Sequence, residues 1–155
     1  MQTLEHILAE HPFLKGLHPD YLQVIVGCAS NVRFDGGRYM FHEGEEADKF
    51  FIIRHGRVAL EIFIPERGAV AIQTISEGDV LGWSWLFPPY RWHLDAKVVE
   101  PVLAIALDGR CLRGKCDEDP GMGYELMKRF AQNIIDRLQA TRLQLLDVYG
   151  HAPSR

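Results

Sequence analysis

Two neighbouring runs of alternating apolar side chains restrict this chain more than any other feature of its sequence. The first run comprises Val58, Leu60, Ile62 and Ile64, and the second resumes with Val70 and Ile72 after the turn-forming stretch 65–68. Because alternate residues of a strand point to the same side, a period of two places these side chains on one face of a β-sheet. The pattern predicts a β-hairpin.

Short segments bounded by turn residues surround this hairpin. The turns lie at 35–37, 42–45, 55–56 and 76–79, and further strands are predicted at 94–99 and 102–107. Such close and regular spacing is typical of an antiparallel roll or sandwich. A length of 155 residues suits one core. We therefore predict a mainly β fold in one domain over residues 1–155, with an antiparallel β-roll (a jelly roll, or cupin-like double-stranded helix) at residues 31–108.

Helical spacing flanks the roll on both sides. Apolar residues recur at helical intervals in 3–11 and 19–29, which predicts N-terminal helices within residues 1–30. Residues 109–150 are predicted to form C-terminal helices. The last of these opens with Asp119 as the capping residue and Pro120 in the first turn, and it runs on to Gly150 as one long helix.

A stripe of mostly apolar residues recurs along this long helix at alternating steps of three and four. Its members are Tyr124, Met127, Ala131, Ile134, Leu138, Thr141, Leu145 and Val148. Such a stripe is typical of a two-helix coiled coil, so we predict a homodimer with Met127, Ala131, Ile134, Leu138, Thr141 and Leu145 in its interface. The alternative is that the stripe packs on the roll, although Leu126, Phe130 and Leu143 on neighbouring faces are also available for that packing.

Composition and charge exclude several classes of function. With 47% hydrophobic and 25% charged residues, the chain resembles globular proteins rather than disordered chains or membrane spans. Its formal net charge of −4 is dispersed, so direct binding to nucleic acid is not expected. Residues 1–14 lack a basic leader and a sustained apolar core, which favours a cytoplasmic location. The three cysteines, Cys28, Cys111 and Cys116, form no CxxC pair, and we expect reduced thiols.

Residues 37–58, GRYMFHEGEEADKFFIIRHGRV, carry a family resemblance. A glycine, an apolar strand, a Gly-acidic turn, a second strand and Gly-x-Val follow one another as in cyclic-nucleotide-binding domains, and EGDVLG at 77–82 continues the pattern. Within that family the chain resembles the sensor half of the catabolite activator and fumarate-nitrate regulator group. The resemblance implies a dimer interface along the long helix. Only five residues follow Gly150, so a DNA-reading helix-turn-helix is not expected.

The resemblance also implies a phosphate-binding cassette at residues 78–96. Family members hold the ribose with a cassette glutamate and the phosphate with an arginine, whereas this chain has Trp83 at the first position and His93 or Leu94 at the second. Arg137 and Thr141 match helix positions that lie near the ligand in the family. The predicted ligand-binding residues are Gly82, Trp83, Ser84, Trp85, Arg91, His93, Arg137 and Thr141, and the possible ligand is a cyclic nucleotide.

Three interpretations of the cassette stay open. In the first, Arg91 replaces the missing arginine and forms an anion site with Ser84 and the amides near Gly82. In the second, the aromatic residues Trp83, Trp85, Phe87 and Trp92 fill the pocket as core, and Arg91 is solvated. In the third, a flat ligand of lower charge stacks against the tryptophans.

The chain carries no motif of a known catalytic apparatus. There is no Gly-x-Ser-x-Gly elbow, P-loop or dinucleotide fingerprint, and His42, Glu43, His55 and His93 lack the spacing of a cupin metal site. We therefore expect no metal, no cofactor and no enzyme activity, but a regulatory module whose ligand acts through the helix dimer on a separate partner protein. The alternative is a ligand-free interaction scaffold with an aromatic surface around Pro88, Pro89 and Tyr90.

Overall fold

The computed structural model describes residues 3–150, with side chains described as far as Asp147. The strands are β1 (Ala29–Phe34), β2 (Tyr39–Phe41), β3 (Lys49–Ile64), β4 (Gly68–Ser76), β5 (Val80–Leu81) and β6 (Asp95–Asp108). The helices are α1 (Leu4–Glu10), α2 (Pro19–Val26), α3 (Gly109–Glu118) and α4 (Pro120–Gly150), and a short 3₁₀ turn covers Ser84–Leu86. The predicted mainly β fold with flanking helices is confirmed.

All strand pairs in the sheet are antiparallel. The strand order is β1-β6-β3-β4, with β2 added to β6 and β5 added to β3. The long strands β3 and β6 pair along almost their whole length, so they form the central strand pair of the roll. The short strand β5 leads directly from this framework into the cassette.

The predicted hairpin is the β3–β4 pair, but its alternation is interrupted by a bulge. The register shifts between Leu60 and Glu61, where Leu60 faces Gln73 and Glu61 faces Ala71. Ile72 is left between these two pairs, and its side chain is 42% exposed. An extra residue on one strand turns its side chain out of the regular pattern. Ile72 therefore lies at the bulge, outside the regular pairing of the hairpin.

The strands predicted at 94–99 and 102–107 form one strand, β6. Pro101 does not end it, because register shifts in β3 around Gly56 accommodate the proline. A Cβ atom at Gly56 would lie 2.2 Å from the Pro101 carbonyl oxygen, and Gly56 has a φ of +99°. Only glycine permits this close approach of the two backbones.

The structure corrects the prediction of three reduced cysteines. Cys28 and Cys111, 83 residues apart in the chain, form a disulfide, and Cys116 is free. The predicted helix at 19–29 ends at Val26, so Cys28 lies between α2 and β1. The bond joins this connection to the first turn of α3. A spacing of 83 residues gives no local pattern from which the pairing could be predicted.

Two hydrophobic clusters lie on either side of the sheet. One joins the helices to the sheet through Leu8, Leu14, Leu22, Ile25, Phe50, Trp85, Leu112, Met122, Leu126 and Phe130. The other fills the roll with Phe41, Phe51, Ile53, Val58, Leu60, Leu81, Trp92, Ala96 and Val98. The roll therefore has its own core, distinct from the core that holds the helices.

The long helix α4 has two halves with different surroundings. In the first half Met122, Leu126 and Phe130 are at most 2% exposed, and Arg129 donates hydrogen bonds to the carbonyl oxygens of Phe13 (2.8 Å) and Lys15 (3.1 Å). Asp119 caps the helix by accepting from the Met122 N–H, as its sequence predicts.

In the second half of α4 the large apolar side chains are exposed. These are Ile134, Ile135, Leu138, Leu143, Leu145 and Leu146, between 37% and 67% exposed. Met127 and Tyr124 of the predicted seam are exposed as well, whereas the Val148 side chain lies outside the described residues. Leu126 and Phe130 thus pack on the core, and the seam does not. None of the described helices has the length and apolar character needed to cross a membrane.

Candidate functional site

The cassette closes over one end of the roll and forms a small cavity. Its lining comes from the roll, the cassette and α4: Phe41, Leu60, Leu81, Gly82, Trp83, Ser84, Trp92, His93, Leu94 and Arg137. Gly82, with a φ of +102°, turns the chain out of β5 into the cassette. The free volume is about 30 Å³. Sites for small organic ligands are typically about 300–1,000 Å³, so this cavity has room for little more than water.

The indole of Trp92 is the reason why the cavity is small. It stacks on Phe41 with 3.7 Å between the ring centroids and 10° between the planes, and it is 7% exposed. A Cβ atom at Gly82 would lie 2.7 Å from the indole atoms Cη2 and Cζ3. The Trp92 backbone is held by the turn before β3, where its N–H donates to the Glu45 carbonyl oxygen and its carbonyl oxygen accepts from the Gly44 N–H.

A second, larger cavity shares two of these residues. Phe41 and Trp92 line both spaces, and the second one, of about 290 Å³, is completed by Val32, Phe34, Met40, Glu45, Glu46, Asp48, Lys49 and Phe51. The two stacked rings therefore border both cavities.

Arg137 brings α4 into the site. Among the described residues that line the smaller cavity, its guanidinium is the one permanently charged group. Its Nη2 donates a hydrogen bond to the Val80 carbonyl oxygen of β5. Burial lowers the pKa of the Arg137 guanidinium, and the negative charge of Asp79 opposes this shift. A positive charge held in an apolar surrounding attracts an anion more strongly than the same charge in water.

Trp83, Ser84 and His93 form the polar and aromatic edge of the cavity. The Trp83 and His93 rings stack at a centroid distance of 5.6 Å, and Ser84 Oγ lies 3.4 Å from His93 Nδ1. An activated serine usually lies about 2.6–3.2 Å from its base, and that base is oriented by a third group. Among the described residues no carboxylate pairs with His93. The edge offers ring faces and hydrogen-bonding groups rather than a catalytic pair.

Three of the predicted ligand-binding residues are not brought to the cavity. Arg91 is exposed and donates from Nη1 to the Gly44 carbonyl oxygen at 3.0 Å, so the substitution of Arg91 for the missing arginine has no support in this geometry. Trp85 is fully buried among the helices, where it stacks on Phe50. Thr141 is exposed, and its hydroxyl donates to the Arg137 carbonyl oxygen, one turn earlier on α4. The cavity lining does contain the other five: Gly82, Trp83, Ser84, His93 and Arg137.

The sequence missed several lining residues. Phe41, Leu60 and Leu81 have the pattern of ordinary core positions in strands, and Trp92 is one of four aromatic residues in the cassette. The signal that distinguishes Trp92 from Trp85 is its place just before β6. Trp85 lies in the 3₁₀ turn and packs among the helices, and its carbonyl oxygen accepts from Arg113 of α3.

Comparison with known proteins places this geometry in a family. Residues 31–119 match the family described as "Cyclic nucleotide-binding domain". The chain is 25% identical over 153 residues to the "CRP-like cAMP-activated global transcriptional regulator" of Mycobacterium tuberculosis. That match covers 98% of this chain and 66% of the regulator, so the chain spans just under two thirds of its relative's length.

Two solved structures share the fold. A cyclic nucleotide-binding domain from Methylobacillus flagellatus KT has a TM-score of 0.80 at 16% identity, over 92% of this chain and 83% of that one. A protein of Geobacter metallireducens GS-15 assigned as cyclic nucleotide-binding has a TM-score of 0.79 at 24% identity, over 88% of this chain and 99% of that one. At these identities the similarity shows a shared fold and nothing more.

Proposed function

The chain belongs to the cyclic nucleotide-binding domain family, and from this premise we propose that it is a non-enzymatic regulatory sensor domain. A small ligand enters the cassette cavity, α4 responds, and a homodimer formed along α4 transmits the change to a partner protein. One observation carries this proposal: Arg137 of α4 lines the cavity and donates to the Val80 carbonyl oxygen of β5. A ligand in the cavity therefore contacts the helix that transmits the signal.

The ligand class that the lining favours is a small planar anion. Trp83 and His93 provide ring faces for stacking, and Arg137 provides a positive charge. A purine cyclic nucleotide belongs to this class, and the relative from Mycobacterium tuberculosis is named as cAMP-activated. With about 30 Å³ free, such a ligand enters only after the Trp92 indole has moved aside.

The exposed apolar half of α4 supports the dimer. Met127, Ile134, Leu138 and Leu145 are 37–53% exposed and lie on one stripe of the helix. Exposed apolar stripes of this length at coiled-coil spacing are generally covered by a second helix. Phe130 and Arg129 fix the first half of α4 to the core, so the exposed stripe of the second half is available for pairing with a second helix.

A second candidate function has an observation of its own. The Phe41–Trp92 stack already fills the cavity with protein side chains. In this alternative the domain binds no small ligand and acts as a dimeric scaffold. Phe87, which is 47% exposed, and the prolines 88 and 89 beside it then contact the partner.

A thermal-shift titration separates the two functions. Cyclic AMP, cyclic GMP and adenosine are each added from micromolar to millimolar concentration, and the melting temperature is followed. A ligand at 100 times its Kd stabilises the folded state by about 2.7 kcal/mol, which for a domain of this size raises the melting temperature by roughly 5–10 °C. We expect a shift that grows with the logarithm of cyclic nucleotide concentration and is smaller with uncharged adenosine. No shift with any of them at millimolar concentration overturns the sensor proposal in favour of the scaffold.

A further inference from the structure

The Cys28–Cys111 disulfide lies where three elements meet. Cys28 precedes β1, Cys111 is in the first turn of α3, and Asp108 at the end of β6 contacts both. The Asp108 N–H donates to the Cys28 carbonyl oxygen at 2.9 Å, and Asp108 Oδ1 accepts from the Cys111 N–H at 3.1 Å. The bond therefore holds the start of α3 against the sheet.

A molecule carrying a thiol has access to this disulfide. Cys28 is 8% exposed and Cys111 is half-buried, so Cys111 is the more accessible residue of the pair. Both line a surface cavity of about 260 Å³, with Lys49 and Asp108 among its other residues. A structural disulfide sealed in a core has no such cavity beside it.

Cys111 and Cys116 lie at different places on α3. Cys111 is in the first turn of this ten-residue helix, where the helix dipole favours negative charge and the capping Asp108 carboxylate opposes it. Cys116 lies farther along α3 on the α4 side, and burial together with Asp117 and Asp119 raises the pKa of its thiol. The thiolate of Cys116 is therefore disfavoured, and Cys116 does not compete for the bond.

We propose that Cys28–Cys111 is a reversible thiol–disulfide exchange site whose reaction partner is a dithiol. The dithiol's thiolate attacks Cys111 Sγ, the Cys28–Cys111 bond breaks, and Cys28 leaves as a thiolate that takes up a proton. The second thiol of the dithiol then attacks the dithiol's own sulfur in the mixed disulfide, and Cys111 leaves as a thiolate that also takes up a proton. Two electrons and two protons pass to the chain, and the dithiol becomes a disulfide. The reverse steps re-form the bond.

The consequence of exchange reaches α4 through the core of the helices. Leu112, next to Cys111, is fully buried in the same cluster as Met122, Leu126 and Phe130 of α4. Releasing the start of α3 weakens the packing of Leu112 against the first half of α4. This inference does not depend on a ligand in the cassette cavity, so it stands or fails separately from the proposed function.

The experiment titrates the full folded chain with dithiothreitol and its oxidised form. After each equilibration, free thiols are alkylated and counted by intact mass, first without and then with denaturant, and the melting temperature is measured in parallel. We expect one alkylated cysteine in the oxidised protein, three in the reduced protein, and a melting temperature lower by on the order of 10 °C after reduction.

Two variants make the outcome specific. A Cys28→Ser/Cys111→Ser double variant should melt at one temperature across the titration, and Cys116→Ser should respond like the unaltered chain. Three alkylated cysteines under the most oxidising condition overturn the proposal, because no bond then forms. Reduction that requires denaturant also overturns it, because the site is then closed in the folded state, as does an equal melting temperature in both forms.

Discussion

Replacing Trp92 by alanine tests the two roles that this side chain has in the structure. The indole stabilises the core of the roll through Phe41, and it also occupies the space in which a ligand would lie. Truncation removes both at once. Because Trp92 borders cavities of about 30 and 290 Å³, we expect Trp92→Ala to enlarge the smaller one toward the size that small-molecule sites have.

The cost of this substitution follows from burial. Trp92 is 7% exposed, and truncation of a buried Phe or Trp to alanine destabilises a fold by about 3–5 kcal/mol. For a domain of this size that loss lowers the melting temperature by roughly 6–20 °C. The space left by the indole is flat and bordered by the Phe41 ring, so indole itself should refill it and recover part of the loss, and adenosine should bind more tightly than to the unaltered chain.

The matched control is Trp85→Ala. Trp85 is fully buried too, but among the helices, against Phe50 and Phe130, and it does not line the cassette cavity. Both variants are melted with and without indole or adenosine, and Trp92→Leu serves as a milder substitution that keeps the roll folded. We expect adenosine to raise the melting temperature of the Trp92 variants by more than it raises that of Trp85→Ala. If adenosine stabilises neither set, or stabilises both equally, Trp92 is not what keeps a ligand out of the cavity.

Two further predictions concern α4 and the N-terminal region. Leu138→Glu places a charge in the exposed stripe and should convert the dimer to a monomer, as measured by light scattering. The control variant Leu143→Glu, on a neighbouring face, should leave the mass unchanged. An unchanged mass in both variants refutes the predicted seam. Burial lowers the pKa of His11, whose Nδ1 accepts from the Phe13 N–H while Nε2 lies 3.1 Å from the Ile53 carbonyl oxygen. Since the unfolded chain then binds more protons below about pH 6.5, stability should be full above that pH and fall as the pH drops toward the lowered value. His11→Gln should flatten this dependence in urea unfolding at pH 5–7, and an equally steep dependence in the variant contradicts it.

The features that the sequence predicts well are those encoded locally. The β3–β4 hairpin follows from alternation, and the start of α4 follows from Asp119 and Pro120. Each of these depends on residues within a few positions of one another. Local physics is enough to place them.

The features that it predicts poorly depend on contacts between distant segments. Trp85 and Trp92 are seven residues apart and look alike in sequence, yet one packs on the helices and the other on the roll. What separates them is the Arg113 contact to the Trp85 carbonyl oxygen from α3, and the pairing of Trp92 with the Gly44–Glu45 turn. Neither contact has a signal near the tryptophans. The same reason explains why Arg91, expected near the anion site, instead reaches back to Gly44.

The proposed ligand cavity and the proposed dimer seam meet at two adjacent residues of α4. Arg137 lines the cavity, and Leu138, the next residue, is 48% exposed on the seam. Successive residues of an α-helix point about 100° apart, so the two side chains face different neighbours from one rigid turn. On the proposed function, a ligand that draws Arg137 away from the Val80 carbonyl oxygen shifts that turn, and Leu138 moves with it. On the proposed function, cavity and seam therefore need no intermediate element to communicate, and dimer affinity and ligand affinity must change each other by the same factor.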